Sequence, residues 1–351
     1  MVAVQPYLKG HVFYMSLLRL MEKIMNKPFL PVEKQIEQLK VERGLLFQNE
    51  ESAKELLLRY GYYEIINGYK EHFMNSSKDD NEGFKEGTTF EHIYSLFTFD
   101  RNLRTQVMSS LETFELSLRQ AVAYTVSENI SYMQDEYMNR NNYTSGKKQY
   151  IKSAKRKMYP IDHLMNILKG ISKSDAEPFK HYREENGNVP PWIIVKKLNF
   201  GNLIWWYKLL KGPEKRSVNA RLFGINPNLV ELNENLSSVI SPLLELYLDY
   251  RNTAAHGGRI YNHRTKEHEL PYNQLLHKRL LEIDEKEYRL GKGRSRLGVV
   301  LRSLQLFKNT DPSIELKAAI SVHLNNYLKL YPDDKEYILS HLELTDDDIK
   351  I

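Results

Sequence analysis

Residues 89–129, TFEHIYSLFTFDRNLRTQVMSSLETFELSLRQAVAYTVSEN, run without a proline or a glycine. Apolar side chains recur along them at spacings of three and four, the period that lays one face of a helix against a core. Thr89 is a natural cap for such a helix, and Glu91 places an acid where the first turn favours one. The spacing therefore predicts one long helix, or two in succession. Strand patterns are weak along the rest of the chain, so the predicted fold class is all-α.

VEKQIEQLKVERGLL sets Val32, Ile36, Leu39 and Arg43 near one face and is interrupted at Gly44. NEESAKELLLRYGYYEIINGYKEHF opens at a cap, Asn49, breaks at Gly61 and turns at Asn67–Gly68. A polar loop over 76–89 follows. Beyond the long helix come a basic, tyrosine-rich linker, the helical IDHLMNILKGISKS and a Pro190–Pro191–Trp192 corner. A further helix is expected over 230–256, kinked at Pro242 and stopped by Gly257–Gly258, with three or four shorter helices over about 270–351. A chain of 351 residues exceeds one small core. The organisation expected is an extension over 1–25, a helical unit over 26–88, a core over 89–265 and a C-terminal helical region over 266–351. In the extension, HVFYMSLLRLM (11–21) is too short to span a bilayer, carries Arg19 and lacks a small-residue cleavage site. NKPFLPVEKQIEQL after Met25 reads as a natural protein start, so residues 1–24 are expected to be dispensable for folding.

Composition narrows the chemistry. The absence of cysteine excludes disulfides, thiol catalysis and cysteine-ligated zinc, and suits a reducing compartment. His263, His268 and His277 have no tight ligand spacing and no acidic cluster beside them, so no metal and no other cofactor is expected. A net charge of +5 is too small for a uniformly basic coat, so a polyanion would be held by local patches. One patch is KKQYIKSAKRKMY, with Lys147, Lys148, Lys152, Lys155, Arg156 and Lys157 interleaved with Tyr150 and Tyr159; the other is KGRSR, Lys292 to Arg296. Either also suits solvated helix faces and loops. Trp192, Trp205 and Trp206 suit base stacking and, at helical spacing, equally suit a core.

The motif that carries chemistry is YLDYRNTAAHGGRIYNHR, residues 247–264. Arg251 and His256, five apart on a helix, stand about 140° apart around its axis. Unwinding of the last residues at the glycines is expected to swing the imidazole back toward the guanidinium, while Thr253, Ala254 and Ala255 leave room for a ligand. Cleaving RNA without metal requires a base for the 2′-hydroxyl proton and a cation for the phosphate charge. Histidine can serve as that base or as the acid for the leaving oxygen, and arginine forks onto phosphate oxygens. Asn252 is placed to hold the imidazole or a phosphate, and Arg259, His263 and Arg264 to add phosphate affinity. The same spacing also suits an arginine bridging at a helix C-terminus beside a satisfied histidine.

LDYRNTAAHGGRIYN resembles the signature of HEPN ribonucleases, in particular the AbiD/AbiF-like abortive-infection proteins of bacteria. Other blocks are similar in the same order: residues 32–73, FDRNLRTQVMSSLETFELSLRQAVAY, PFKHY and PPWIIVKKLNFGNL. The resemblance covers about residues 30 to 265. It implies phage defence by RNA cleavage, a HEPN-like helical core with additional N- and C-terminal helices, and a composite site made by pairing two such motifs. It also leaves room for association with a small noncoding RNA. Lys196 departs from the pattern, standing where a glutamate is expected.

This chain carries one such motif. Its nearest internal counterpart is Glu112, Glu115 and Arg119, on one face of the long helix by their spacing. Tyr124 stands there where a second histidine would be needed, and tyrosine is a poor base near neutrality. Arg119 is expected to support the site from a pairing with Glu115. A complete site then calls for a homodimer. The chain is thus expected to be a cytoplasmic, metal-independent endoribonuclease of antiphage defence with no membrane partner. Arg251, Asn252 and His256 would be catalytic. RNA would be held by Arg119, Lys147, Lys152, Arg156, Arg259, His263, Arg264, Lys292 and Arg294. The rivals are a noncatalytic RNA-binding protein that grips a small noncoding RNA through the same motif, and a helical interaction protein in which the motif is structural.

Overall fold

The structure, a computed structural model, describes residues 29–76, 79 and 82–350; the extension expected over 1–25 lies outside them. The chain divides into two compact units, one ending at Phe97 and the other beginning at Thr98.

In the first, α1 (Val32–Glu37) runs on into a wider turn over Gln38–Glu42, and α2 spans Glu50–Tyr60. Val32, Ile36 and Leu39 are buried together, as their spacing predicted. Asn49 caps α2 by accepting a hydrogen bond from the Ser52 amide at 2.9 Å, and Gly61, at φ 91°, ends it. The unit also contains pairing that the sequence did not show: Leu46 bridges Thr89 and Met74 bridges Phe84. Thr89 caps α3 (Phe90–Asn129), its Oγ1 accepting from the His92 amide at 3.2 Å. The Glu91 carboxylate accepts from the Gln48 and Asn49 amides at 3.1 and 3.2 Å, fixing the chain just before α2.

In the second unit α3 continues unbroken to Asn129, one helix and not two in succession. Leu103, Val107, Leu111, Phe114, Leu118 and Val122 form a fully buried stripe at helical spacing. Next the basic, tyrosine-rich stretch forms a hairpin in place of the expected linker. Strands β1 (Gln149–Ile151) and β2 (Arg156–Met158) pair antiparallel with Tyr150 opposite Lys157. Ile151 and Met158 turn inward while Lys152, Arg156 and Lys157 face solvent. With three residues per strand, no alternation could show in the sequence. Helices α4 (Pro160–Ser172), α5 (Phe179–Asn186), α6 (Phe200–Leu209) and α7 (Gly212–Phe223) follow. Helix α8 (Glu234–Ala255) contains Pro242 without ending there. It lies against α6 and α7, and its Tyr247 meets Phe114 of α3 edge-on, ring centroids 5.0 Å apart. The C-terminal part adds α9 (Leu297–Ser303), α10 (Asp311–Leu330) and α11 (Lys335–Leu342). The protein is predominantly helical, with minor strand content. Among the described residues no helix is long and apolar enough to cross a membrane.

His277 is fully buried in this C-terminal part. Its Nδ1 lies 3.0 Å from the Asn273 amide and 3.1 Å from the Asn273 carbonyl, and its Nε2 lies 2.9 Å from the Gly293 carbonyl. Burial pushes its pKa below the usual histidine value, against the opposing pull of the Gly293 and Asn273 backbone. The unfolded chain therefore binds a proton that the folded chain refuses. The stabilisation is full above about pH 6.5 and is lost as the pH falls through the lowered folded value, at up to about 1.4 kcal/mol per pH unit. Thermal unfolding of the protein is expected to shift downward between pH 7 and 5, and less steeply in His277→Gln; equal pH profiles for the two proteins would refute this.

Candidate functional site

The motif occupies the last turn of α8 and the loop beyond it. Helical hydrogen bonding persists to its end: the His256 amide donates to the Asn252 carbonyl at 3.0 Å, and His256 keeps a near-helical φ of −95° and ψ of 12°. The expected unwinding toward Arg251 does not occur. Instead the Gly258 amide donates to the Thr253 carbonyl at 2.8 Å and the Gly257 amide to the Ala254 carbonyl at 3.3 Å. With Gly257 at φ 77°, this is the paired closure that ends many helices in a left-handed glycine. It satisfies the terminal carbonyls, so the turn has no reason to fray. Gly258 has a different role. A Cβ on it would stand 2.6 Å from Thr253 Cγ2 and 3.1 Å from the Thr253 carbonyl oxygen. Gly258→Ala is expected to destabilise the protein by about 1–3 kcal/mol through this overpacking; a denaturation midpoint equal to that of the unsubstituted protein would refute the closeness of the turn.

Two side chains of α3, four residues apart, hold the loop from below. Asp100, fully buried, accepts from the Ile260 amide at 2.9 Å and the Tyr261 amide at 2.6 Å. Arg104 Nη1 donates to the Gly257 carbonyl at 2.8 Å and the Gly258 carbonyl at 3.3 Å. Neither was singled out from the sequence. The signal was present: Asp100 falls in register with Leu96, Leu103 and Val107, and a lone acid in an apolar stripe asks for partners. Further along, Arg296 Nη1 donates to the Asn262 carbonyl at 2.6 Å, and Ser295 Oγ to the Thr265 carbonyl at 2.9 Å.

On this frame His256 and Asn252 are exposed, and among the described residues no hydrogen bond or ion pair engages either side chain. Arg251 is half-buried, and its Nε is enclosed without a hydrogen-bond partner. Asn252 and His256, four apart on a continuous helix, lie on one face, and Arg251 stands about 140° from His256. The turn thus offers an open imidazole on a rigid mount and, on another face of the same helix, a guanidinium that no carboxylate among the described residues neutralises.

The other candidate residues are distributed differently. His263 Nε2 lies 2.6 Å from Asp249 Oδ1, and its ring meets Tyr250 edge-on at 4.7 Å. Burial alone would push the Asp249 carboxyl up; the His263 hydrogen bond and charge, with smaller help from His268 and Thr265, hold it below the usual range. His263 is therefore committed to the inner side of the loop. Arg259 is exposed and close enough to influence Tyr261. Arg264 is exposed with no ion pair or hydrogen bond among the described residues. Arg119 is paired with Glu115 and donates to the Val195 carbonyl and, at 2.6 Å, to the Leu198 carbonyl. It clasps α3 to the turn after Pro190–Pro191. Lys147, Lys152 and Arg156 are exposed around the hairpin. Lys292 pairs with Glu287 at 2.9 Å and Arg294 with Glu269 at 2.9 Å. Trp206 is buried and Trp192 is 42% exposed. Lys196, where the resemblance calls for glutamate, is exposed.

A family model described as "Abi-like protein" matches residues 55–262, more than half of the chain and all of the turn that carries Arg251, Asn252 and His256. No curated protein and no solved structure matches the chain.

Proposed function

The chain belongs to the Abi-like protein family, whose membership supports a general role in abortive infection, and from that premise we propose that it is a metal-independent endoribonuclease of antiphage defence. The observation that carries this proposal is the exposed, unengaged His256 on a turn fixed by Asp100 and Arg104, with the uncompensated Arg251 guanidinium on the same helix. His256 takes the proton from a ribose 2′-hydroxyl, or returns one to the departing 5′-oxygen. Arg251 steadies the phosphate charge that builds as the 2′-oxygen attacks. Asn252, on the face of His256, orients the imidazole or a phosphate oxygen. The bond to the 5′-oxygen breaks, leaving a 2′,3′-cyclic phosphate and a free 5′-hydroxyl. With Arg251 and His256 about 140° apart around the helix axis, a homodimer supplies the complementary pair, in keeping with the composite site of HEPN ribonucleases. Arg259 and Arg264 extend the phosphate contacts, and Lys147, Lys152 and Arg156 of the hairpin guide the strand. Lys292 and Arg294 join this path from within their ion pairs. The reducing cytoplasm suits a chain without cysteine.

The test is incubation of the full chain with single-stranded RNA in EDTA, with the product ends mapped. Fragments ending in 2′,3′-cyclic phosphate support the proposal. Tight binding without cleavage replaces it with a noncatalytic RNA-binding function that holds a small noncoding RNA; neither binding nor cleavage removes both.

A further inference from the structure

A cavity of about 330 Å³ opens in the second unit, lined by Arg264, Arg289, Arg294 and Arg296 against Glu269 and Glu343. Its cations are unequally engaged. Arg294 is held by Glu269 at 2.9 Å and lies over the Tyr288 ring at 4.8 Å. Arg289 touches Glu285 at 3.2 Å while 79% exposed, a pairing that water screens heavily. Arg296 spends one nitrogen on the Asn262 carbonyl. Arg264 has no partner among the described residues. Glu343 already accepts the Gly293 amide at 2.9 Å. Four guanidinium groups therefore line the cavity against two carboxylates that are already engaged, Glu269 by Arg294 and Glu343 by the Gly293 amide. Several guanidinium forks around one volume can between them bind the several oxygens of a phosphate, and the volume sits at the lower end of small-ligand sites.

The walls of this cavity also hold the motif loop. Arg296 and Ser295 carry the Asn262 and Thr265 carbonyls, and the Ser295 carbonyl takes the Tyr250 hydroxyl at 2.9 Å, one residue before Arg251. An anion drawn toward Arg264 and Arg296 acts on the segment that follows His256.

We propose that this cavity binds the phosphate group of a nucleotide and that its occupancy tightens the loop over residues 257–265. The nucleotide is either free or one unit of a single RNA strand; the phosphate chemistry is shared. The proposal goes beyond RNA cleavage and stands or falls without it, because neither readout involves cutting.

The test titrates the full chain with ATP and, separately, with a fluorescent single-stranded 2′-O-methyl RNA, which lacks the hydroxyl needed for cleavage. Arg264→Glu is compared with Lys329→Glu, the same charge change at an exposed position of α10. Arg264→Glu is expected to weaken one probe at least tenfold, ATP if the nucleotide is free and the oligonucleotide if it belongs to a strand; Arg289→Glu repeats the loss from another wall. Saturation with that probe slows amide exchange over 257–265 in the unsubstituted protein and not in Arg264→Glu. Equal affinities of Arg264→Glu and Lys329→Glu for both probes, or binding that leaves exchange over 257–265 unchanged, overturns the proposal.

Discussion

Replacing His256 with alanine is expected to lower the rate of RNA cleavage by about 10²–10⁴-fold, the range over which a positioned acid or base contributes. The unfolding midpoint should hardly move. The imidazole is exposed and makes no hydrogen bond among the described residues, and substitutions at such places change stability by about 0.5 kcal/mol or less. The helix end does not depend on it either, since its closure runs through the backbone of Thr253, Ala254, Gly257 and Gly258. Arg251→Lys separates charge from geometry at the second group: it keeps a cation but loses the fork, and cleavage should fall while RNA binding is largely retained. Cleavage by His256→Ala at the rate of the unsubstituted protein would end the assignment.

Asp100→Ala is expected to cost on the order of 3 kcal/mol, because the buried amides of Ile260 and Tyr261 lose their acceptor and each unsatisfied group costs about 1–3 kcal/mol. In a unit of this size that corresponds to a fall of roughly 6–12 °C in Tm. Asp100 touches no RNA in the proposed chemistry. It positions the segment after His256, so a second effect follows in cleavage. At a temperature where Asp100→Ala is still folded, amide exchange over 257–265 should rise and kcat should fall more than KM changes. Asp100→Asn, which keeps one acceptor oxygen, should recover part of both. A Tm within a degree of the unsubstituted protein would show that the anchor lies elsewhere.

The sequence displayed the long helix plainly because nothing within 90–129 interrupts its period, and Gly257 and Gly258 did mark the end of α8. What the glycines do there was not visible. A glycine pair suggests a loosened end when read by conformational freedom alone, whereas hydrogen bonds from Gly257 and Gly258 back to Ala254 and Thr253 close it. Arg119 shows the same limit. Its spacing from Glu115 predicted their pairing, but its other partners, the carbonyls of Val195 and Leu198, lie more than seventy residues away along the chain. The hairpin at 149–158 was hidden by its brevity, and His263 by a partner, Asp249, that lies fourteen positions earlier on α8. Local period and capping were legible. Satisfaction of buried polar groups by distant backbone was not, and it is this that fixes the orientation of the candidate site.

α8 keeps its helical course through His256, and in the proposed homodimer each phosphate would be held by an imidazole and a guanidinium drawn from two copies. Working sites would then scale with the square of the amount of protein at low abundance, and a tenfold dilution should cost roughly a hundredfold in output. Scarcity alone would keep such an enzyme harmless to its host, and a modest rise in expression would be enough to arm it.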